Sequence, residues 1–198
     1  MLAGHKPMKR SILRQRAFTL IELMVTIAIA AILMMIAAPN FTEFRRNSEL
    51  TSLTNTLLAG INAARGAAMK ENTFAMVVPK DGSDWNSGWV VFVDKDLSQS
   101  FDATKDEVVL EHGAPSTFIS IGGTGSANGP SPYILFNGSG YPRVKSGAFG
   151  ATTFSLARND VAAAKQPDQT RRLILAPAGR IRSCRPSADS SCTASATD

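Results

Sequence analysis

The chain has 198 residues, 44% of them hydrophobic, which suffices for one modest globular domain with additional segments. Its formal net charge is +5, yet residues 1–17 hold five basic residues and no acid, so that the rest carries 16 bases and 16 acids. This balance excludes a uniformly basic protein, because the excess charge belongs to the N-terminal segment. The five early bases are Lys6, Lys9, Arg10, Arg14 and Arg16.

The remaining charge is divided between two parts of the chain. Residues 71–128 contain nine acids and three bases, whereas residues 137–188 contain nine bases and two acids, Asp160 and Asp168. A polyanion is therefore expected to meet the C-terminal third. The nine bases are Arg143, Lys145, Arg158, Lys165, Arg171, Arg172, Arg180, Arg182 and Arg185.

The first predicted element is an apolar run of 21 residues, 18–38, whose single charge is Glu22. A run of this length is long enough to span a bilayer. A cleaved signal peptide with its cut near Ala37 or Ala38 is the alternative. Glu22 argues against that alternative, because a carboxylate in hydrocarbon costs about 2.5–3.5 kcal/mol and is rarely placed there without a functional partner.

Residues 16–22 read RAFTLIE and closely resemble the type III signal of prepilins. The resemblance implies a leader of residues 1–17, cleaved by a prepilin peptidase between Ala17 and Phe18, with N-methylation of Phe18. It also implies that Glu22 neutralises the new terminal amine of a neighbouring subunit during assembly. Prepilin leaders usually end in Gly rather than Ala, and Met8 is an alternative start that gives a shorter leader.

Cleavage before the apolar run keeps residues 18–39 in the mature chain, first as a membrane anchor and later as part of a fibre core. The basic leader predicts a cytoplasmic N-terminus, with everything beyond about residue 40 in the periplasm. The expected location is the bacterial inner membrane, as a single-pass protein, and the pilus after assembly. The expected partners are other pilins or pseudopilins, the peptidase and the membrane.

A second helical stretch, residues 40–71, follows Pro39, which is expected to kink the helix by removing a donor. Its apolar residues recur mostly at three- and four-residue spacing, as in an amphipathic helix. From residue 18 to about residue 70 the helix would measure roughly 80 Å, which is typical of an assembly element. The apolar positions are Phe41, Phe44, Leu50, Leu53, Leu57, Ile61, Ala64 and Ala68.

Residues 72–183 change to short β-type segments separated by Gly, Pro, Asn and Asp, which predicts a mainly antiparallel β-sheet domain. One sheet face should pack on the amphipathic helix, giving an α+β fold with a long N-terminal helix. The Gly-rich residues 122–132 are expected to form a mobile loop. The predicted strands are 73–78, 88–93, 107–111, 117–121, 133–136, 152–156 and 171–176.

Several stretches resemble the domain shared by minor pseudopilins of type II secretion and FimT-like minor pilins. They are residues 63–68 (AARGAA), residues 85–94 (WNSGWVVFVD) and residues 179–180 (GR). With the N-terminal motif, the resemblance to this GspH/FimT family covers most of residues 16–183 and implies the pilin fold. Trp85 and Trp89 are expected in the core, because large aromatic side chains usually serve burial.

No convergent catalytic or metal-binding set is recognised, so neither an enzyme nor a cofactor is expected. After the leader, His112 is the only histidine, and it is expected at a solvated strand end. The pairs Asp94/Asp96 and Asp106/Glu107 lack the Asp-x-Asp-x-Asp-Gly spacing of a calcium loop and are expected in solvated turns.

The tail, residues 184–198, contains Cys184 and Cys192 in a Ser-, Ala- and Thr-rich context. If the tail is exported, a disulfide between them is expected. Free thiols or half of a metal site are the alternatives, and neither finds support in the surrounding sequence.

Arg180, Arg182 and Arg185 lie within six residues, and the first two would share one face of an extended segment. Their Gly-Arg-x-Arg pattern resembles the DNA-binding motif of FimT-like minor pilins, which take up DNA in natural transformation. The resemblance assigns non-specific DNA binding to Arg180 and Arg182. Further phosphate contacts would come from Arg185, Arg143, Lys145, Arg171 and Arg172.

Two alternatives stay open for this basic segment, residues 180–185. The arginines could form a positive strand edge that discourages aggregation. The chain could also be a minor pseudopilin of the type II secretion system, with a structural role and no DNA binding.

Overall fold

A computed structural model describes residues 18–195, except for the side chains of residues 36–40. The predicted leader, including Ala17, lies outside the described residues. The chain divides into two compact units, Met1–Phe44 and Arg45–Asp198, which are described separately. Helix α1, Leu20–Glu71, contributes residues to both units and confirms the long helix expected from the sequence.

In the first unit, Thr19 caps the start of α1, because its Oγ1 accepts a hydrogen bond from the Glu22 amide at 3.3 Å. The Glu22 side chain therefore lies in the first turn, where the helix dipole favours a negative charge. Among the described residues, we find no helix that is both long and apolar enough to cross a membrane. The kink expected at Pro39 falls among the side chains that are not described and stays a prediction.

In the second unit, the predicted apolar stripe of α1 is buried. The buried positions are Leu50, Leu53, Leu57, Ile61, Ala64 and Ala68. Phe41 and Phe44, which the spacing placed on the same stripe, belong to the first unit instead and are 63% and 69% exposed. The apolar spacing therefore continues beyond the part of the helix that the second unit buries.

Nine strands form two antiparallel sheets in the described second unit. The five-stranded sheet has the order β3-β2-β1-β5-β6, and the four-stranded sheet has the order β4-β7-β8-β9. The strands are β1 Phe74–Pro79, β2 Trp89–Asp94, β3 Glu107–His112, β4 Ile119–Gly123, β5 Ile134–Phe136, β6 Pro142–Arg143, β7 Thr152–Arg158, β8 Thr170–Leu175 and β9 Ile181–Cys184.

All seven predicted strands are present, whereas β6 and β9 were not predicted. Strand β6 has two residues, one of them a proline, and β9 is polar and forms only by pairing with β8. The expectation of one sheet face on the helix was incomplete. Residues from both sheets join the helix stripe in one hydrophobic core, so the helix packs against two sheets.

Both tryptophans lie in this core, as predicted. Trp85 is 3% exposed, and its Nε1 donates to the Ala127 carbonyl at 2.9 Å. This bond ties down the Gly-rich segment that the sequence suggested would be mobile, and Ala127 itself is buried. Trp89 is fully buried against the helix, where a Cβ on Gly60 would lie 3.1 Å from the indole Nε1. Gly60 therefore allows the close approach of helix and sheet.

An ion-pair cluster joins the helix to the four-stranded sheet. Fully buried Arg158 donates from Nε and Nη2 to the two carboxylate oxygens of Asp160, both at 2.8 Å. Arg46 on the helix also donates to Asp160. These two guanidinium groups, Arg158 foremost, lower the pKa of Asp160 from 3.8 to about 2. The carboxylate thus compensates a buried positive charge.

The Asp160→Asn variant should be less stable than the parent chain at neutral pH, because it removes the carboxylate to which buried Arg158 donates two hydrogen bonds. The free energy of unfolding of this variant should also fall less than that of the parent chain as the pH is lowered. The folded pKa lies below the unfolded one, so the contribution of Asp160 is complete above pH 3.8 and is lost as the pH falls towards 2. We expect this component to be about 1–2 kcal/mol after allowance for solvent screening.

Urea unfolding of the chain in detergent at pH 7, 5 and 3 would measure both effects. Asp168→Asn is the matched control, since it removes an exposed carboxylate from the same β7–β8 connection. Equal loss of stability between pH 5 and pH 3 in the parent and Asp160→Asn would contradict the assignment.

Candidate functional site

The Gly-Arg-x-Arg segment lies on a tight hairpin between β8 and β9. The Gly179 amide donates to the Ala176 carbonyl at 2.8 Å, and the Ala176 amide donates to the Arg180 carbonyl at 2.9 Å. Gly179 has φ +81°, a left-handed conformation that a side chain would strain. The glycine therefore makes the turn that presents Arg180 at the end of the hairpin.

This hairpin is held against the end of the helix. Arg65 Nη1 donates to the Gly179 carbonyl at 3.0 Å. Two of the stretches that resemble the family, residues 63–68 and residues 179–180, therefore meet in the fold. A Cβ on Gly179 would lie 3.1 Å from the Gly140 carbonyl oxygen and 3.5 Å from Arg65 Cζ. The β8–β9 turn, the segment around Gly140 and the helix end thus form one packed junction.

The predicted disulfide between Cys184 and Cys192 is present, with Cα atoms 5.8 Å apart. Cys192 is 3% exposed, and Arg172 donates to its carbonyl as well as to Ser155 Oγ at 3.3 Å. The tail therefore folds back over the face of the four-stranded sheet that carries Arg172. Because Arg172 holds the tail in place, its guanidinium is only partly available for phosphate.

Arg182 is engaged within the disulfide loop. Its Nη1 lies 3.1 Å from Asp189 Oδ2, and its Nη2 donates to the Ser191 carbonyl at 2.8 Å. The pKa of Asp189 is lowered, first by the Ser191 hydroxyl and amide and then by the Arg182 charge. Arg182 is therefore less available than the sequence suggested, since an internal carboxylate balances its charge.

Arg180 and Arg185 are exposed at opposite ends of β9. Neither guanidinium forms an ion pair with any carboxylate in residues 18–195. An extended strand separates their backbones by roughly 16 Å, so one phosphate cannot bridge both. The three guanidiniums predicted to act together are thus two exposed groups with a neutralised one between them.

A groove of about 380 Å³ is lined by both Arg180 and Arg182. The two side chains thus lie on one face of the extended segment, as the sequence predicted. Its remaining lining is mostly small and apolar: Ile174, Ala176, Ala178 and Ser191.

Arg171 has to be removed from the predicted DNA-binding set. It is 6% exposed, and it donates to the Asp168 carbonyl at 2.9 Å and to Asn47 Oδ1 on the helix at 2.8 Å. Burial, followed by the nearby charge of Arg185, lowers the pKa of Arg171. Its inward position on β8 makes it a link between sheet and helix rather than a surface contact.

Arg143 and Lys145 lie near the edge of the five-stranded sheet, each beside an aromatic ring. Arg143 Cζ is 4.0 Å from the centroid of the Phe149 ring, and Lys145 Nζ is 4.9 Å from that of Tyr133. The sequence identified the two cations but missed the rings. The signal was the interleaving of Tyr133, Tyr141 and Phe149 with basic residues in a stretch without acids.

The acidic pairs form one group that could hold a cation within the described part of the chain. Asp94, Asp96 and Asp106 offer carboxylate oxygens within 4.8 Å of one another. Contrary to the expected solvated turn, Asp94 is fully buried and accepts from the Ser98 and Gln99 amides at 3.0 and 2.9 Å. Burial raises its pKa. Through these two hydrogen bonds, Asp94 holds the loop after β2 in place.

His112 is half-buried rather than solvated, because its ring stacks on Trp89 with centroids 4.2 Å apart. Its Nδ1 lies 2.7 Å from the Gly113 carbonyl oxygen. The nearby Ser116 hydroxyl bonds to Glu49 instead. His112 thus serves to pack the end of β3.

The N-terminal site residues are only partly described. Phe18 is 75% exposed, and Glu22 is exposed in the first turn of α1. Ala17 lies outside the described residues. The roles of these residues in cleavage, N-methylation and assembly therefore stay predictions.

Comparison with known families and curated proteins gives two family matches and one related protein. The family described as "Type II transport protein GspH" matches residues 53–179, which is more than half of the chain. The "Prokaryotic N-terminal methylation motif" matches residues 12–38. A type IV major alpha-pilin of Moraxella bovis is 36% identical over 74 residues, or 37% of this chain. That match spans 46% of the relative, slightly less than half its length.

The solved structures that resemble the chain include those of two proteins. The type IV minor pilin FimU of Pseudomonas aeruginosa has a TM-score of 0.55 at 23% identity, over 74% of this chain and 95% of its own. This likeness supports the α+β pilin fold. The minor pseudopilin EpsH of Vibrio cholerae has a TM-score of 0.46 at 12% identity, over 70% of this chain and 98% of its own.

The helix-and-sheet architecture and the two family matches lead to the same conclusion: the chain belongs to the GspH family and is a GspH/FimT-like pilin with an N-terminal methylation motif.

Proposed function

We propose that this chain is a minor type IV pilin that takes part in pilus assembly and binds extracellular DNA non-specifically for uptake in natural transformation. The single observation that carries the DNA-binding part is the exposed Arg180 at the end of the β8–β9 hairpin. The turn is fixed by Gly179 and Arg65, so little backbone conformational entropy is lost when the guanidinium engages a phosphate.

Seven of the nine bases of residues 137–188 differ in how available they are to a phosphate. Arg158 and Arg171 are buried, and Arg182 is balanced by Asp189. Arg180 and Arg185 are exposed without an ion-pair partner in residues 18–195. They would contact separate phosphates, with Arg143 and Lys145 as further contacts.

So few phosphate contacts give weak binding and a shallow dependence on salt, at a slope of about −0.9 per contact on duplex DNA. Useful affinity would therefore come from several subunits displayed on one pilus. No sequence preference is expected, because phosphate contacts position a protein without reading bases.

Arg180→Ala and Arg185→Ala should each weaken duplex binding about threefold to tenfold at 0.1 M salt and reduce the salt slope by about 1. The physical reason is the loss of one phosphate contact and its released counterion. Fluorescence anisotropy of a labelled 30-bp duplex with the purified chain in detergent, over a range of salt concentrations, measures both quantities.

Lys105→Ala is the control, because it removes the same charge from the acidic half of the chain, where Lys105 pairs with Asp96 and Asp102. It should leave the affinity and the slope unchanged. An unaltered affinity and slope in the Arg180→Ala, Arg185→Ala double variant would refute DNA binding by the tail.

The assembly part of the proposal rests on the N-terminal motif. We propose that a prepilin peptidase cleaves between Ala17 and Phe18, that Phe18 is N-methylated, and that the run after it anchors the chain in the bacterial inner membrane with the second unit in the periplasm. The family match at residues 12–38 supports this proposal. Glu22 would then pair with the terminal amine of a neighbouring subunit, since an unpaired carboxylate in an apolar setting is costly.

Glu22→Gln should leave leader cleavage intact but reduce the amount of the chain in sheared pili severalfold, because it removes the charge and keeps the shape. The measurement is an immunoblot of sheared and membrane fractions, with the mass of the mature chain as the readout of cleavage. Glu71→Gln, at the other end of α1, is the control. Equal incorporation of Glu22→Gln and the parent would contradict the assembly role.

A minor pseudopilin of the type II secretion system is the second candidate. The description of the matching family favours it, because that name refers to type II transport. In this case the chain would contact other pseudopilins and bind no DNA. The salt-dependent duplex measurement separates the two functions.

A further inference from the structure

We propose that Tyr141, Arg143 and Phe149 form a stacking platform for the unpaired bases of single-stranded DNA, beside the phosphate contact at Arg180. This inference rests on the proposed DNA binding and adds to it a preference for single-stranded over duplex DNA. It assigns a binding role to two aromatic residues outside the Gly-Arg-x-Arg tail.

The platform is a cluster of two exposed aromatic rings and the half-buried Arg143 guanidinium. Phe149 is 57% exposed and Tyr141 is 43% exposed, with their ring centroids 6.0 Å apart and nearly perpendicular. The Arg143 guanidinium lies over the Phe149 ring at 4.0 Å. Large aromatic side chains usually serve burial, so two neighbouring rings left in solvent indicate a surface that meets a flat or apolar partner.

The backbone holds these groups in place. Arg143 and Phe149 form an antiparallel bridge, and the Gly150 amide donates to the Pro142 carbonyl at 3.0 Å. Within the loop, the Val144 amide donates to the Ala148 carbonyl at 2.9 Å, and Arg143 Nη1 donates to the Gly147 carbonyl at 3.2 Å. Phe149 and Arg143 are therefore displayed on a closed loop, which limits the entropy lost on binding.

The platform adjoins the β8–β9 turn through two glycines. Gly140 and Gly179 are packed so closely that a Cβ on Gly179 would lie 3.1 Å from the Gly140 carbonyl oxygen. Tyr141 and Arg180 follow these glycines directly in the chain. A strand whose bases stack on the platform would therefore carry its phosphates close to Arg180.

The sequence around the platform suits a nucleic acid. No Asp or Glu occurs between Glu111 and Asp160, so this whole stretch lacks a carboxylate of its own. Lys145 adds a second cation beside a ring, since its Nζ lies 4.9 Å from the Tyr133 centroid. Alternating cations and aromatic faces are the features by which proteins bind single strands without sequence preference.

Duplex DNA would not use the platform. Its bases are already paired and stacked, so the exposed faces of Phe149 and Tyr141 have no base to cover them unless the duplex is opened. The tail arginines need only phosphates, which both forms of DNA offer. The structure therefore separates a contact common to both forms from one that is specific to single strands.

The test compares a labelled 20-nucleotide oligothymidine with a 20-bp duplex, using the whole chain in detergent and anisotropy at fixed salt. Phe149→Ala should lower single-strand affinity about tenfold and duplex affinity less than about twofold. Phe101→Ala is the matched control, because it removes a 37% exposed ring outside the platform, whose centroid lies 5.0 Å from that of Phe92. It should change neither affinity. Arg143→Lys keeps the charge but loses the flat guanidinium. It should lower single-strand affinity as Phe149→Ala does, but by a smaller factor.

Unfolding temperatures of the variants, measured alongside, report whether an exposed substitution has altered the fold. Equal effects of Phe149→Ala on both probes, or none on either, would overturn the platform. If Phe149→Ala retains full single-strand affinity while Arg180→Ala loses it, the platform fails and tail binding stands. Failure of the parent chain to bind either probe would overturn both proposals.

Discussion

The packing of one helix stripe against two sheets is the constraint on which the rest of this structure depends. Leu57, Ile61 and Ala64 are fully buried in a core that takes residues from both sheets. Close contact at Gly60 brings the helix against Trp89, and the same helix carries Arg65 to the β8–β9 turn. The buried stripe thus fixes the position of a surface hairpin at the end of the helix.

The basic C-terminal third shows how a fold redistributes charges that the sequence only counts. Buried Arg158 is compensated by Asp160, whereas Arg171 is used to join sheet and helix. Arg182 is balanced inside the disulfide loop, and Arg180 remains in solvent at the hairpin end. A buried charge needs a partner, so the cations that can meet a polyanion are those that the core and the tail did not require.

The proposed interface combines two kinds of contact that differ in physical origin. Guanidinium groups on the tail would bind phosphate by charge, a contact that salt screens and that both forms of DNA offer. The rings at Tyr141 and Phe149 would bind bases by stacking, which requires an unpaired strand. Their junction at Gly140 and Gly179 would allow both contacts on one surface, because the two loops pack closely there.

The sequence by itself determined the long helix, its buried stripe, seven strands, the two core tryptophans and the disulfide, because these depend on local periodicity, residue size and cysteine context. It also identified the prepilin motif through residues adjacent in the chain. Only the tertiary structure decided that two sheets share one core, that Arg171 is buried and that Asp189 balances Arg182. It alone placed Gly140, which precedes Tyr141, against Gly179, which precedes Arg180. These facts depend on contacts between residues distant along the chain, or on which face of a strand turns inward, and both are set by the global packing of the helix and sheets.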